Sequence, residues 1–138
     1  MQNLFAYGTL MCEDIMRKVS GHCLPHVPGI LTGYIRRCVR GESYPALVSH
    51  NRGRVEGVLY LNIPISAWDR LDRFEGELYV RQLVQVELRD KTMLKAATYI
   101  IRPKFRNYLK QSDWNFAEFL RKDKTRFECC HLGYRLLD

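Results

Sequence analysis

Two short segments of the sequence contain residue types that could do chemistry, and the first is Tyr7-Gly8-Thr9-Leu10. It follows an apolar run at 3–7 and precedes an acidic segment with helical character. Glycine weakens a strand interior and gives the core nothing to pack, so Gly8 indicates that the strand ends there. At such a junction, backbone N–H groups and the positive end of the helix can hold a carboxylate or phosphate. A plain turn has the same signature, and this segment alone leaves both interpretations open.

The second segment, at 71–81, places Glu75 in the last turn of a predicted helix, just before a glycine. A negative charge is disfavoured at that end of the helix dipole. Repulsion from Glu77 and burial near Phe74 and Tyr79 act in the same direction, and all three effects raise a carboxyl pKa. A glutamate shifted toward neutrality suits general acid–base catalysis. A surface glutamate in a helix–strand turn is the alternative that the pattern leaves open.

The remaining sequence predicts the strands and helices that must position these two segments. Apolar runs and alternation predict six strands, of which four are joined as two hairpins by turn residues. Many strands in a short chain favour a barrel or a strongly curled sheet with the helices outside. The predicted fold is α+β, a six-stranded closed or nearly closed β-barrel surrounded by a few helices. The predicted strands are 3–7, 29–39, 45–50, 54–63, 78–89 and 92–102, and the predicted helices are 12–19, 66–75 and 113–122.

The predicted helix caps are local features. Ser66 with Asp69 three residues later resembles a capping box, with Asp in place of Glu. Gly76 supplies the stop signal after this helix. Ser112 or Asp113 is the predicted cap of the last helix, because short polar side chains accept from the first free N–H groups.

Length and composition indicate one ordinary domain. The chain has 138 residues, of which 46% are hydrophobic and 27% charged, so we expect a single domain over 1–138. No apolar stretch approaches the roughly 20 residues that a membrane helix needs. The N-terminus has neither a basic leader nor a long apolar region. We therefore expect a cytoplasmic protein without a membrane partner.

The cysteines and histidines do not form a recognisable metal site. An odd count of five cysteines makes a poor disulfide framework, so we expect reduced thiols. His22, Cys23 and His26, together with 129–131, offer ligand atoms but lack the paired C-x-x-C spacing of a zinc site. We expect no metal.

The formal net charge of +7 comes from 22 basic and 15 acidic residues. Such an excess can favour an anionic ligand or non-specific contact with nucleic acid. More often it is a solvated face, and no zinc-finger or RNP-type signature accompanies it. We do not expect a nucleic-acid partner.

Four segments, taken in order, resemble the γ-glutamylcyclotransferase-like superfamily. They are YGTL at 7–10, SYPALV at 43–48, VEGVLYLN at 55–62 and LDRFEGELYVR at 71–81. The resemblance is closest to the small plant- and bacterial-type members and to the γ-glutamylamine cyclotransferases. It covers the first two thirds of the chain and implies a six-stranded barrel with a cavity at one end.

The resemblance also implies site residues. The loop Tyr7, Gly8, Thr9 and Leu10 would hold the glutamyl head of the substrate, and Glu75 would be the acid–base residue. The strand would then break at the glycine so that backbone donors face a carboxylate.

Other positions have two interpretations. Pro45 borders the site by the resemblance but could simply end a loop. Tyr79 could line the cavity or be an ordinary half-buried strand tyrosine. Thr9 could bind ligand or cap a helix. Arg81 is predicted to pair with Glu77, a structural role.

The implied reaction is a cyclisation. The α-amino group of a γ-glutamyl amide or amine attacks its own γ-carbonyl, which gives 5-oxoproline and releases the amine. Oriented intramolecular reactions reach effective molarities of about 10⁵ M or more. An α-amino group has a pKa near 8 and an ordinary glutamate about 4.3, so raising the pKa of Glu75 would reduce this mismatch. The reaction needs no metal, nucleotide or other cofactor.

Three functions compete at this point. The first is this cyclotransferase, and the second is a related enzyme that removes a γ-glutamyl group from a larger amine during biosynthesis. The third is a non-catalytic module on the same fold that binds a small anion or nucleic acid. The segment after 120 matches no motif and could form a lid that selects the leaving amine. The oligomeric state and the amine are left open.

Overall fold

A closed barrel of five strands forms the body of the protein in a computed structural model that describes residues 2–128. The strands are β1 (Gln2–Ala6), β2 (His26–Cys38), β3 (Pro45–Ile63), β4 (Tyr79–Glu87) and β5 (Met93–Ile101). Their order around the barrel is β1-β3-β2-β4-β5, and β5 closes it by pairing with β1. This last pair is parallel and the other neighbours are antiparallel. The α+β barrel is confirmed.

The prediction of six strands is wrong, because 45–50 and 54–63 belong to one continuous strand, β3. Both halves pair with the same neighbour, β2, instead of with each other. The residues at 51–53 cause an irregularity in that pairing and do not form a hairpin turn. A Cβ on Gly53 would lie 2.1 Å from the carbonyl oxygen of Tyr34, so this glycine serves close backbone approach. The second predicted hairpin, β4 with β5, is confirmed.

Four α-helices lie in the described residues. They are α1 (Glu13–Ser20), α2 (Ile65–Glu75), α3 (Phe116–Glu118) and α4 (Lys124–Phe127), and the π-helical turn Phe119–Asp123 joins the last two. Three 3₁₀ turns complete the list, Thr9–Met11, Gly76–Leu78 and Pro103–Tyr108. Between residues 2 and 128, no helix is long and apolar enough to cross a membrane.

The predicted caps are wrong at both later helices. Pro64 precedes α2 with φ −61° and ψ 146°, so the helix begins before Ser66 can act as its cap. In the described part of the chain, no side chain caps the N-terminus of α2. The last helical segment begins after Asn115, whose side chain accepts from the Glu118 N–H at 2.9 Å. Here Asn115 takes the place predicted for Ser112 or Asp113.

The short strand β1 is buried on both faces, which explains its apolar run. Leu4 and Ala6 belong to the same buried cluster as Ile15 of α1 and Leu71 of α2. Phe5 points the other way, into the cluster inside the barrel. Successive strand residues alternate between faces, so an uninterrupted apolar run is what this central position requires.

Candidate active site

A cavity of about 120 Å³ opens at one end of the barrel. At this end β1 and β5 finish, while β3 and β4 begin, and the C-terminus of α2 reaches the same place. The structure therefore brings together segments that are far apart in the sequence. Every residue that the sequence predicted for the site contributes to the wall, namely Tyr7, Gly8, Thr9, Leu10, Pro45, Glu75 and Tyr79.

The loop after β1 passes very close to the start of β3. A Cβ added to Gly8 would lie 2.8 Å from both Cγ and Cδ of Pro45, so a larger residue would collide. A 3₁₀ turn follows, in which the Met11 N–H donates to the Gly8 carbonyl at 3.0 Å and the Cys12 N–H to the Thr9 carbonyl at 3.1 Å. N–H groups at the start of a helical turn have no acceptor within it. The loop therefore offers donors beside the cavity.

Two buried tyrosines hold the wall by donating to backbone carbonyls. The Tyr7 hydroxyl donates to the carbonyl of Tyr99 on β5, and the Tyr79 hydroxyl donates to that of Pro45, each at 2.6 Å. A buried tyrosine hydroxyl normally finds such a partner. These bonds connect β1 with β5 and β4 with β3, so they fix the shape of the cavity.

The loop carbonyls are held from outside the cavity by residues that the sequence did not reveal. Tyr60 donates to the Leu10 carbonyl at 2.7 Å. Arg36 donates to the Tyr7 carbonyl at 2.9 Å and pairs with Asp113 at 3.2 Å. No local motif could have identified these contacts, because each joins residues that only the barrel brings together.

Glu75 is the last residue of α2 and is half-buried in the cavity wall. Gly76 follows with φ 74°, and its N–H donates to the Asp72 carbonyl, which ends the helix. The predicted stop signal is confirmed. One turn earlier, the Asp72 carboxylate accepts from the Tyr99 hydroxyl at 2.6 Å. This bond ties α2 to the barrel beside the glutamate.

The sequence predicted that Arg81 pairs with Glu77, and this prediction is wrong. Its guanidinium lies 3.2 Å from the Asp72 carboxylate and 4.6 Å from the ring centre of Trp68. Both partners belong to α2, against which this part of β4 packs. At Glu77 the backbone carbonyl accepts from Arg102 at 2.9 Å.

Three tyrosine hydroxyls of the cavity wall keep their protons at neutral pH. Burial, followed by the negative charge of Glu75, raises the pKa of Tyr7. Burial also raises the pKa of Tyr79, with smaller effects from Tyr7 and Glu75. For Tyr99 the pKa is raised by burial, then by the bond to Asp72 and by Glu75. These hydroxyls are therefore protonated donors at neutral pH.

The side chains that could bind a metal ion do not form a cluster within residues 2–128. Between residues 2 and 128, no group of three or more His, Cys, Asp or Glu side chains could hold a metal ion. His26 instead pairs with Glu13 at 2.7 Å. The thiols of Cys12, Cys23 and Cys38 are free, while 129–131 lie outside the described residues.

Fold and site together define a small closed barrel with a half-buried carboxylate beside a glycine-containing loop. The chain belongs to the family described as gamma-glutamyl cyclotransferase, AIG2-like, whose model matches residues 4–116. The match includes all four segments on which the resemblance rests, and it ends where α3 begins. The resemblance found in the sequence is confirmed at the level of the family.

Individual proteins agree with this assignment. AIG2-like protein C of Arabidopsis thaliana is 30% identical over 126 residues, which are 91% of this chain and 73% of that protein. A solution structure of another Arabidopsis thaliana protein has a TM-score of 0.69 at 25% identity and covers 94% of this chain and 87% of its own. A yeast gamma-glutamyl cyclotransferase specific to glutathione has a TM-score of 0.63, with 80% and 73% covered. At 15% identity, this last comparison shows the fold alone.

Proposed function

We propose that the protein is a cyclotransferase that converts a γ-glutamyl amide or amine into 5-oxoproline and a free amine. The observation that carries the proposal is the cavity, whose wall includes Glu75 and all six residues predicted to bind substrate. Family membership supports the same class of reaction. The substrate would be a small molecule, since the space measures about 120 Å³.

The loop after β1 would hold the glutamyl head. The N–H groups of Gly8, Thr9 and Leu10 would donate to the substrate's α-carboxylate or to the oxyanion that develops on the γ-carbonyl oxygen. The protonated hydroxyl of Tyr7 carries no charge that would repel either group. With both ends of the head held, the α-amino nitrogen and the γ-carbonyl carbon of one molecule are brought within reach of each other.

Glu75 would move the proton. Its carboxylate takes a proton from the substrate ammonium, and the freed amine attacks the γ-carbonyl carbon. A carbon–nitrogen bond forms to close the lactam, and the bond to the leaving nitrogen breaks. The carboxyl then returns its proton to that nitrogen. The same carboxylate takes the second proton from the new lactam nitrogen and passes it to the released amine, which departs as an ammonium, so the proton count balances. The residue is half-buried at the cavity wall, where a single group can serve both nitrogens.

The test compares Glu75→Gln with Glu77→Gln. Both changes remove one carboxylate within the same stretch, but the Glu77 side chain is exposed and is absent from the cavity wall. We expect E75Q to lower 5-oxoproline release from the best γ-glutamyl substrate by about 100-fold or more, the usual scale of general acid–base catalysis. E77Q should retain the activity of the wild type, and thermal unfolding should show that both variants are folded.

Two results would contradict the proposal. One is an E75Q variant that turns over as fast as E77Q. The other is a folded wild type that releases no 5-oxoproline from γ-glutamyl amides, amines, dipeptides or glutathione.

A further inference from the structure

One side of the cavity is aromatic, and part of it comes from beyond the family match. Phe127 of α4 lines the cavity, whereas the family model ends at 116. Its ring centre lies 5.9 Å from that of Phe74 and 6.5 Å from that of Tyr44, and both of these residues also line the cavity. Phe74 precedes Glu75 in the chain, so this aromatic side adjoins the acid–base group. We call these three rings the aromatic wall.

Two ion pairs hold the C-terminal segment against α1. The Lys124 ammonium lies 2.7 Å from the Asp14 carboxylate, and the Lys18 ammonium lies 3.2 Å from the Glu128 carboxylate. A hydrogen bond from the Cys12 thiol and the bond from Lys124 lower the pKa of Asp14 to about 2. The carboxylate of the closer pair is therefore charged at neutral pH.

Apolar packing fixes the same segment from the other side. The Phe119 ring lies 5.6 Å from that of Phe127 and 5.4 Å from that of Trp114. The indole N–H of Trp114 donates to the Ser43 carbonyl at 2.8 Å. Phe127 is 3% exposed as a result. Its position in the wall is thus set by contacts on several sides.

The proposed reaction determines which part of the substrate would contact the aromatic wall. The leaving nitrogen must receive a proton from Glu75, so it lies within hydrogen-bond distance of that carboxyl. With the glutamyl head at the loop after β1, the rest of the amine extends past the glutamate toward Phe74 and Phe127. Rings in a buried setting stabilise the apolar surface that contacts them, and burial of an ammonium group costs it its hydration.

We propose that the aromatic wall is the leaving-amine subsite and that the enzyme prefers γ-glutamyl amides of apolar amines, above all aromatic ones. This inference rests on the proposed function. Phe127, which the family match does not include, would be the specificity-determining residue of this chain.

The experiment measures kcat/KM for three amides that differ only in the amine. They are γ-glutamyl benzylamide, γ-glutamyl methylamide and the mono-γ-glutamyl amide of 1,4-diaminobutane. The amine is aromatic in the first, small in the second and cationic in the third. We expect the wild type to prefer the benzylamide over the methylamide by about tenfold or more, the scale on which apolar pockets discriminate. The cationic amide should be the poorest substrate.

Variants of Phe127 test which residue causes the preference. F127A should bring the benzylamide-to-methylamide ratio down toward one, and F127L should retain most of it because the side chain is still apolar. L120A is the matched control, since Leu120 lies on the same segment but is 42% exposed and absent from the cavity wall. It should keep the ratio of the wild type.

The outcomes separate this inference from the proposed function. A preference for the cationic amide, no preference for the benzylamide, or an equal loss for all three amides in F127A would overturn the inference while 5-oxoproline is still released. Binding to E75Q, measured by calorimetry, tests the subsite without turnover. Tighter binding of the benzylamide that disappears in E75Q/F127A would support it, and equal affinities would overturn it.

Discussion

At the scale of single residues, the site depends on how closely two backbone segments approach. Gly8 has φ −127°, so a left-handed backbone conformation does not explain the glycine. The explanation is Pro45, whose Cγ and Cδ atoms lie 2.8 Å from where a Cβ would be. The contact sets the loop with the proposed backbone donors against the first residue of β3.

We therefore expect Gly8→Ala to destabilise the protein and to lower 5-oxoproline release further than the stability loss explains. Overpacking of this kind costs about 1–3 kcal/mol, and the displaced loop would misalign the glutamyl head. Urea unfolding and kcat/KM measure the two effects.

A double-mutant cycle with Pro45→Ala is the control for this prediction. The second change removes the atoms that meet the new Cβ, so G8A/P45A should lose less stability than the two single changes added together. Strict additivity would show that the contact with Pro45 is not the reason for the glycine.

At the scale of elements, the site lies where elements end. Glu75 faces the cavity because α2 stops at that residue and the chain turns sharply into β4. Gly76 makes the turn with φ 74° and ψ −159°, a combination essentially restricted to glycine. The conformation of one residue thus decides where the carboxylate points.

Gly76→Ala and Gly41→Ala form a matched pair that tests this role. Both glycines have positive φ, 74° and 77°, and a Cβ at either would meet open space. We expect each change to cost about 1–3 kcal/mol through backbone strain. G76A alone should also reduce kcat for 5-oxoproline release, because Gly76 directly follows Glu75 of the cavity wall, whereas neither chain neighbour of Gly41 lines the cavity. Equal activity of the two variants after correction for stability would contradict the prediction.

At the scale of the whole molecule, closure of the barrel buries tyrosines whose hydroxyls bond across elements. Burial is the largest cause of the raised pKa of Tyr7, Tyr60, Tyr79 and Tyr99. In the unfolded chain, tyrosine ionises near pH 10. Above that pH the unfolded state loses protons that the folded state keeps. The free energy of unfolding therefore falls as the pH rises further.

We expect the free energy of unfolding to be insensitive to these tyrosines below about pH 10 and to fall steeply above it. Urea unfolding over a series of alkaline pH values measures the slope. Tyr60→Phe should make the slope shallower, since one buried hydroxyl is removed. Tyr108→Phe is the control, because that side chain is 45% exposed. A slope that is the same in both variants would refute the account.

The local patterns predicted the barrel class and segments that line one cavity, and they failed where distant contacts decide. The stop at Gly76 and the strand end before Gly8 were predictable, because they follow from glycine and apolar periodicity within a few residues. The hairpin at 51–53 was wrong because both flanking strands pair with β2. The partner of Arg81 was wrong because α2 presents Asp72 and Trp68 to β4.

The sequence by itself determined which segments are candidates to carry chemistry, the loop at 7–10 and the helix end at Glu75, since local residue types and spacing define both. Only the tertiary structure decided that these segments share one cavity with Pro45 and Tyr79. It also decided that Phe127 completes the wall. The physical reason is that barrel closure, long-range strand pairing and the docking of the C-terminal helices bring together residues that no local pattern relates.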